Sequence, residues 1–260
     1  MYSDRRIAKW TARSSSKEYQ RAYDTIARHI PYEAGFCYVE AACGTGELLK
    51  RIRKRGDHGA LIGIDSSRAM LDLARDGLSK LGLDVPIIGG AAMRTPQDSA
   101  LVLDDLLDSK MPCGFADITV FTFPELGSDC FPSPIDRDLV DRFVSRFGLF
   151  DPQVYGDLLV TLRAQYHLAR ITKPGGLMVI AEYDVSRGKD SRYDQEIVSS
   201  ARLIWDSLDV KLERSLFFES PKIWSDTRAA AEDDETLKYA KKGYKILMMR
   251  KDAKRRRSKA

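Results

Sequence analysis

The chain has 260 residues, of which 43% are hydrophobic, enough for one large α/β domain with a sizeable core. It has no apolar run of about eighteen residues, and no apolar segment follows its charged start, so we expect no membrane span, no secretory signal and a cytoplasmic location. The net charge of +4 is uneven, because the last ten residues carry six basic side chains and one acid while residues 1–250 sum to −1. The four cysteines form no C-x-x-C pair and accompany only three histidines. We therefore expect reduced thiols and no metal site.

Residues 1–30 are expected to form a basic, partly helical segment ahead of the main domain. Ser16 stands where it can cap a helix through E-Y-Q-R-A-Y-D-T-I-A-R-H-I, whose apolar positions share one helical face. Tyr19 and Tyr23 lie on that face and, with Trp10, are candidates for contact with a substrate. The alternative is a helix that only caps a sheet.

The stretch F-C-Y-V-E-A-A-C-G-T-G-E-L-L, residues 36–49, predicts a strand, a tight turn and the start of a helix. Small residues in such a turn let the backbone approach a nucleotide cofactor, and the N–H groups of the helix start face it. Glu40 ends the strand and indicates a cofactor with a cationic group. Gly44 and Gly46 fit the first two glycines of the dinucleotide fingerprint G-x-G-x-x-G, but Leu49 occupies the third position, which argues against a nicotinamide cofactor.

A basic helix and a second strand follow. The helix E-L-L-K-R-I-R-K-R ends at Gly56, and its basic face, residues 50–55, is either solvated or in contact with nucleic acid. The strand A-L-I-G-I-D ends in Asp65, about twenty residues after the glycine loop, where a carboxylate suits the two ribose hydroxyls of a nucleotide. Ser66 or Ser67 caps the next helix, which contains Met70.

This order of elements resembles the class I S-adenosylmethionine-dependent methyltransferases, whose motif I reads acid-x-G-x-G-x-G. Glu40 matches the acid, Ala42 stands at the first glycine, and Gly44 and Gly46 match the second and third. The resemblance implies S-adenosylmethionine as cofactor, with Asp65 on its ribose. It also implies an α/β three-layer sandwich around a seven-stranded, mostly parallel sheet of order 3-2-1-4-5-7-6, with the last strand antiparallel. The cofactor-binding residues expected from it are Glu40, Ala42, Cys43, Gly44, Thr45, Gly46, Asp65, Ser66, Met70, Ala91, Ala92 and Phe121.

The adenine side of that site is expected after a third strand, V-P-I-I-G-G, which ends at Gly90. The family commonly has an acidic or polar residue soon after this strand, whereas Ala91 and Ala92 follow here. We therefore expect backbone N–H groups to hold the adenine, with Met93 or Gln97 as side-chain options. A helix is predicted over 99–109, with its apolar residues against the sheet.

The fourth strand, A-D-I-T-V-F-T-F at 116–123, ends beside the transferable methyl group in the family. Phe121 and Phe123 are expected to line the pocket there, and Glu125 is the candidate that binds an amine or accepts a proton. The tetrapeptide N/D-P-P-Y/F of adenine-N6 DNA methylation is absent, since T-F-P-E occupies residues 122–125.

The rest of the chain completes the expected domain, which spans 31–250. An insertion at 128–155 is predicted to cover the substrate or to serve as packing or a dimer contact. A helix over 156–171, a sharp K-P-G-G turn, the strand L-M-V-I-A-E-Y-D, a helix over 194–208 and strands near 210–218 and 244–250 follow, and the tail 251–260 is expected to be disordered. In the helix, His167 is interpreted as structural. The strand's end, residues 182–184, faces the substrate rim.

Three functions remain open from the sequence. The first is methyl transfer to a nitrogen or oxygen of a small molecule. The second is methylation of RNA or protein, for which the basic tail, the basic N-terminal segment and the basic face at 50–55 would provide contacts. The third is a non-catalytic scaffold that binds the cofactor, and the oligomeric state is open as well. The substrate-binding candidates are Phe123, Glu125, Tyr166, Tyr183, Tyr19 and Tyr23.

Overall fold

Strands and helices alternate through the residues that the computed structural model describes, which are 4–56, 58–93, 98–123, 163–183, 205, 209–225 and 242–253. The helices are α1 (Asp4–Ser14), α2 (Lys17–His29), α3 (Glu47–Arg53), α4 (Arg68–Ser79), α5 (163–171) and α6 (Pro221–Ser225). The strands are β1 (Cys37–Ala41), β2 (Ala60–Asp65), β3 (Ile87–Gly89), β4 (Ala100–Leu103), β5 (Ala116–Thr122), β6 (Thr172–Tyr183), β7 (Val210–Glu219) and β8 (Gly243–Lys251).

These eight strands form one sheet of order β3-β4-β2-β1-β5-β6-β8-β7. The pairs from β3 to β6 are parallel, and β8 runs antiparallel to both of its neighbours. With β4 left out, the order is the predicted 3-2-1-4-5-7-6, and the predicted antiparallel last strand is confirmed. Because β1, β2, β4, β5 and β6 are parallel, their carboxyl ends share one edge of the sheet.

The two faces of the sheet carry separate cores, as a three-layer sandwich requires. Alternate residues of β1 show this, since Tyr38 packs with the cluster under α2, α3 and α4, whereas Val39 belongs to the opposite face. On that opposite face, Leu168 of α5 packs with Met178 and Ile180 of β6. The predicted fold class is therefore confirmed, with one strand more than expected.

The additional strand corrects the prediction of a helix over 99–109. Residues 100–103 form β4, which pairs in parallel with both β2 and β3, and only 106–108 form a short 3-10 turn. The prediction failed because a parallel strand buried on both faces is a continuous apolar run, here A-L-V-L, which periodicity cannot distinguish from a buried helix segment. The strand next to β2 is thus β4, and β3 lies beyond it.

The K-P-G-G segment is also different from the prediction. It does not form a separate turn, because β6 begins at Thr172 and includes these residues. The pairing of β5 with β6 shifts register between Ala116 and Ile118, and Gly175 has φ +81°, so the segment is an irregularity within the strand.

Other predicted boundaries agree with the structure or lie outside its described residues. Ser16 precedes α2 at the N-cap position, although its side chain accepts no capping hydrogen bond, whereas Ser67 caps α4 by accepting from the Met70 N–H at 3.4 Å. The insertion at 128–155, most of the helix at 194–208 and the tail beyond 253 fall outside the described ranges. Within those ranges, no helix has the length and apolar character needed to cross a membrane.

Candidate functional site

The loop after β1 has the backbone conformation that its small residues suggest. Ala42, Gly44 and Gly46 have φ values of +51°, +52° and +71°, in the left-handed region that glycine enters most readily. A Cβ on Gly46 would lie 3.1 Å from the Cβ of Ala74 in α4, whereas a Cβ on Gly44 would meet no atom within 4 Å. Gly46 is therefore needed for packing, and Gly44 borders open space where a ligand can approach.

Asp65, at the end of β2, connects this loop to α4. Its Oδ2 accepts the N–H of Gly44 at 2.8 Å, and its Oδ1 accepts the N–H of Ser67 at 2.8 Å. Burial raises the pKa of Asp65, and these N–H donors oppose that rise. Each carboxylate oxygen has a second acceptor site. The N–H of Ser66 is a third donor to this carboxylate, so acceptor capacity remains for a ligand hydroxyl, and Ser66 itself is exposed at the rim.

Glu40, at the end of β1, is 1% exposed. Its Oε2 accepts the N–H of Leu49 in α3 at 3.3 Å, and its Oε1 accepts the hydroxyl of Thr122 in β5 at 3.1 Å. Burial raises its pKa to about 8 despite these two donors, and the negative charges of Glu47 and Asp65 contribute to the rise. A cation placed beside this carboxyl group would favour its ionised form.

The end of β4 contains two acids that sequence reasoning did not include in the site, Asp104 and Asp105. The Asp104 N–H donates to the carbonyl of Asp65 at 3.2 Å, which places this turn directly beside the end of β2. Ala91 and Ala92, predicted to hold adenine, follow β3 instead, one strand farther from the glycine loop, and are exposed. The sequence signal for these acids is the run A-L-V-L-D-D, in which two acids directly follow the apolar residues of the strand.

Phe123 follows β5 and is the centre of an aromatic cluster. Its ring centroid lies 5.3 Å from that of Tyr19, 6.0 Å from Tyr23, 5.4 Å from Tyr183 and 5.4 Å from Tyr244. Its φ of +46° is unusual for a bulky residue, and its N–H donates to the carbonyl of Ala181 at 2.8 Å. Four predicted substrate-binding residues thus meet here, in a closely packed group at the carboxyl ends of β5 and β6.

The N-terminal helices contact the same edge of the sheet. The hydroxyl groups of Tyr19 in α2 and Tyr183 in β6 lie 2.9 Å apart, within hydrogen-bond distance. The hydroxyl of Ser14, at the end of α1, lies 3.2 Å from that of Thr45 in the glycine loop. One helix therefore contacts the glycine loop, and the other contacts the aromatic cluster.

Other predicted site residues lie elsewhere. Phe121 is buried in the core under α5 and belongs to a different core cluster from Phe123, which follows β5 with a positive φ and so leaves the alternation of the strand. Tyr166 is 49% exposed on α5, and its ring contact is with the adjacent His167, whose pKa is lowered by burial. Cys43, Thr45 and Met70 are buried, at 6%, 9% and 5% exposure. Glu125 and Gln97 lie outside the described residues.

Comparison with known proteins agrees with this geometry. Residues 39–103, which contain the glycine loop, Asp65 and β4, match the family described as a methyltransferase domain. None of the curated proteins matches the chain in sequence.

Solved structures of similar fold extend over most of the chain. A geranyl diphosphate methyltransferase bound to S-adenosylmethionine is 12% identical, with a TM-score of 0.56 over 91% of this chain and 92% of that one. The geranyl diphosphate C-methyltransferase of Streptomyces coelicolor, crystallised with Mg²⁺, geranyl-S-thiolodiphosphate and S-adenosylhomocysteine, is 12% identical, with a TM-score of 0.55 over 91% and 82%. The 4+2 cyclase SpnF is 17% identical, with a TM-score of 0.53 over 91% and 82%. At these identities the likeness shows the fold, and the cyclase illustrates that the fold alone does not determine the reaction.

The alanine in the glycine loop generates the first prediction. The left-handed backbone of Ala42 costs roughly 1–2 kcal/mol. Glycine would remove this strain but has a greater unfolded-state entropy. Ala42→Gly should therefore raise the free energy of unfolding by about 0.5–1 kcal/mol. Urea denaturation measures this difference. Ala91→Gly is the matched control, because Ala91 is exposed without a positive φ, and it should lower stability by about the same amount. If both Ala42→Gly and Ala91→Gly lowered the free energy of unfolding, the proposal that Ala42 has a strained backbone would be wrong.

The second prediction concerns the contact between the hydroxyl groups of Tyr19 and Tyr183. Tyr19→Phe and Tyr183→Phe should each destabilise the protein, and the double variant should lose less than the sum, with a coupling energy of about 0.5–1.5 kcal/mol. A double-mutant cycle by urea denaturation measures that coupling. Tyr166→Phe, at an exposed position, should change stability by less than about 0.5 kcal/mol. Strict additivity of the two single variants would mean that the hydroxyl contact contributes nothing.

Proposed function

We propose that this chain, a class I S-adenosylmethionine-dependent methyltransferase, transfers the methyl group to a nitrogen or oxygen of a small molecule held at the carboxyl ends of β5 and β6. The observation that carries the proposal is that the glycine loop and the aromatic cluster lie next to each other at one edge of the sheet. The glycine loop and Asp65 end β1 and β2, and the aromatic cluster around Phe123 lies at the ends of β5 and β6, next to β1. A cofactor site and an acceptor site can therefore adjoin each other.

The residues at the first two strands fit the cofactor. Gly44 borders open space, and Asp65 retains acceptor capacity for a ribose hydroxyl. Glu40 is a carboxyl group whose raised pKa leaves it ready to lose a proton beside a cationic ligand. Asp104 and Asp105, after β4, are the acidic residues that the adenine side of the family's site commonly has, and we assign them that side in place of Ala91 and Ala92.

The chemistry that the cofactor supplies is an electrophilic methyl carbon on its sulfonium. The residues of the chain must then orient the acceptor in line with the bond to the methyl group and exclude water, and such positioning can provide roughly 7–11 kcal/mol of the barrier. Tyr19, Tyr183 and Phe123 fit this role because they are rigidly packed against one another. Glu125 remains the proposed proton acceptor, two residues beyond Phe123.

A small-molecule acceptor is favoured over RNA or protein at this site. Helix α2 packs directly on the aromatic cluster, with Tyr19 only 1% exposed, so this part of the sheet edge is covered and is not an open surface. Confined, largely apolar sites with a few polar groups suit small ligands. The structural neighbours that act on geranyl diphosphate, a small molecule, are consistent with such an acceptor.

Cofactor binding should release a proton from Glu40. With a pKa of about 8, this carboxyl group is mostly protonated at neutral pH in the free protein, and a cationic ligand requires it ionised. Affinity for S-adenosylmethionine should therefore rise close to tenfold between about pH 6 and pH 7, and binding near pH 7 should release close to one proton. Isothermal titration in buffers of different ionisation enthalpy measures both quantities.

Glu40→Gln is the matched control because it retains the shape and acceptor oxygen of the side chain without the ionisation. Its affinity for S-adenosylmethionine should not depend on pH between about 6 and 7, and proton release should be absent. An identical pH dependence in the variant and the natural protein would exclude Glu40 as the group that senses the cationic cofactor.

The proposed reaction can be tested with S-adenosylmethionine labelled in its methyl group. The protein is incubated with cell extract separated into a small-molecule fraction, an RNA fraction and a protein fraction, and we expect the label in the small-molecule fraction. Asp65→Ala should abolish most transfer by weakening cofactor binding, whereas Asp72→Ala, an exposed acid on α4, should leave it unchanged. Label in the RNA or protein fraction would contradict a small-molecule acceptor.

Once an acceptor is known, Phe123→Leu separates the two sites. The variant should raise KM for the acceptor several-fold with little change in the Kd for S-adenosylmethionine, because the ring contacts of Phe123 are with the tyrosines of the proposed acceptor site. The two constants come from steady-state kinetics and from calorimetry. An equal loss in both would place Phe123 in the cofactor site.

A further inference from the structure

A groove of about 690 Å³ lies between α2 and α3, on the outer side of the molecule. Its walls are formed mainly by arginine side chains and contain no large apolar residue. The lining residues are Arg21, Asp24, Thr25, Ala27, Arg28, Arg51 and Arg55. The proposed methyl transfer uses none of them.

Two of these arginines are fixed in place by the fold. Arg55 donates to the carbonyl oxygens of Ala27 at 2.6 Å and Ile30 at 2.7 Å, at the end of α2. Arg51 donates to Asp24 at 2.6 Å and to Glu47, in its own helix, at 3.2 Å. The floor of the groove is therefore preorganised, and the acids near it are already paired with Arg51.

The other two arginines carry the unpaired positive charge of the groove. Arg21 and Arg28 are exposed on α2, and Arg28 donates to the hydroxyl of Thr25 at 3.1 Å. Neither forms an ion pair with an acid in the described part of the chain, where the ion pair of α2 joins Asp24 to Arg51. They are seven residues apart, which corresponds to about 10 Å along the helix.

The sequence concentrates positive charge around this groove. Residues 1–55 contain twelve Lys and Arg against six Asp and Glu, whereas residues 56–250 contain twenty-four against thirty-one. One of the six acids, Glu40, is buried with a raised pKa and so carries little negative charge at neutral pH. The N-terminal part is therefore a positive lobe on an otherwise acidic body, which attracts anionic partners.

We propose that this groove binds the phosphodiester backbone of single-stranded RNA, an activity additional to the proposed methyl transfer and independent of it. Arg21 and Arg28 are spaced about 10 Å apart along α2, so phosphates at different positions of one chain can contact both. Protein interfaces are built around an apolar or aromatic core that this groove lacks, while nucleic-acid interfaces are polar and strongly positive. Proteins that bind single strands without sequence preference use a positively charged groove that follows the backbone, and RNA is the polynucleotide that cells hold chiefly as single strands.

The groove is separate from the crevice that would hold the cofactor. Helix α2 turns Tyr19 and Tyr23 toward the aromatic cluster and presents Arg21 and Arg28 on an adjacent face. A strand in the groove thus contacts α2 and α3 without entering the crevice. Binding should therefore be sequence-independent and salt-dependent, as expected for contacts to phosphates.

The test uses the full-length protein and a fluorescein-labelled oligouridine RNA, with anisotropy as the readout at several salt concentrations. Arg21→Ala/Arg28→Ala should weaken binding at least tenfold near 0.1 M salt and reduce the slope of log K against log salt by about 1 to 2. Arg68→Ala/Lys80→Ala, at the start of α4 and just after its end, removes the same charge from exposed residues that do not line the groove and should change binding less than threefold. Equal losses in the two double variants would overturn the proposal, since they would reflect net charge alone.

Two further measurements test which kind of polyanion the groove binds. Polyglutamate at equal charge concentration should displace the RNA poorly, and a single-stranded DNA of matching sequence should bind no more tightly than the RNA. Efficient displacement by polyglutamate would instead assign the groove to an acidic protein, and tighter DNA binding would assign it to DNA. Calorimetry with S-adenosylmethionine should give the same Kd for the groove variant as for the natural protein. RNA binding that persists in Asp65→Ala would support the RNA-binding proposal even if the test of methyl transfer were negative.

Discussion

The organisation of the site depends on one buried carboxyl group. Glu40 joins three elements, because it ends β1, accepts from Leu49 in α3 and accepts from Thr122 in β5. Burying such a group without partners would cost several kcal/mol, so these hydrogen bonds fix the relative positions of the strand ends and of the helix that follows the glycine loop. The raised pKa is the consequence, since two neutral donors do not fully replace the lost hydration.

The second constraint is the closure of the sheet edge by the N-terminal segment. Tyr19 in α2 reaches Tyr183 in β6, and Ser14 at the end of α1 reaches Thr45 in the loop. Residues more than 160 positions apart in the sequence thus meet over the carboxyl ends of the strands. The packed ring of Phe123, held in a left-handed conformation, is the surface on which α2 rests. Strain of this kind is retained where the surroundings determine the conformation, which is common at functional edges.

The sequence predicted the parts of the site that depend on local spacing. Glu40, Gly44 and Asp65 lie within 26 residues of one another and follow strands with clear boundaries, so their meeting at one edge follows from parallel pairing. The helix predicted over 99–109 was wrong because β4 is an apolar run without a period, and our proposal to move the adenine side to Asp104 and Asp105 follows from the position of that strand.

The aromatic cluster could be predicted only in part. Phe123 and Tyr183 were expected at the substrate rim from their positions at strand ends, but nothing local shows that Tyr244, from β8, joins them. Tyr166 was expected there as well, yet it points away from the sheet, because the direction of a side chain on α5 depends on how that helix rotates against the core. Contacts between distant segments have no signature in a single sequence.

Charged residues of α3 connect the proposed cofactor site, at the ends of β1 and β2, with the arginine groove between α2 and α3. Glu47 begins α3, accepts from Arg51 one turn later, and its charge contributes to the raised pKa of Glu40. Arg51 in turn lies 5.6 Å from the ring centroid of Tyr23 and lowers the pKa of that tyrosine, against the larger opposing effect of burial. Glu47 is therefore the link between the two regions, because it pairs with Arg51 in the groove and its charge acts on Glu40. Arg51 and Lys50 already neutralise most of the charge of Glu47. The pKa of Glu40 is therefore set mainly by its burial and only slightly by the charge of Glu47. A buried carboxyl group, and not a surface charge, thus governs the chemistry of the loop.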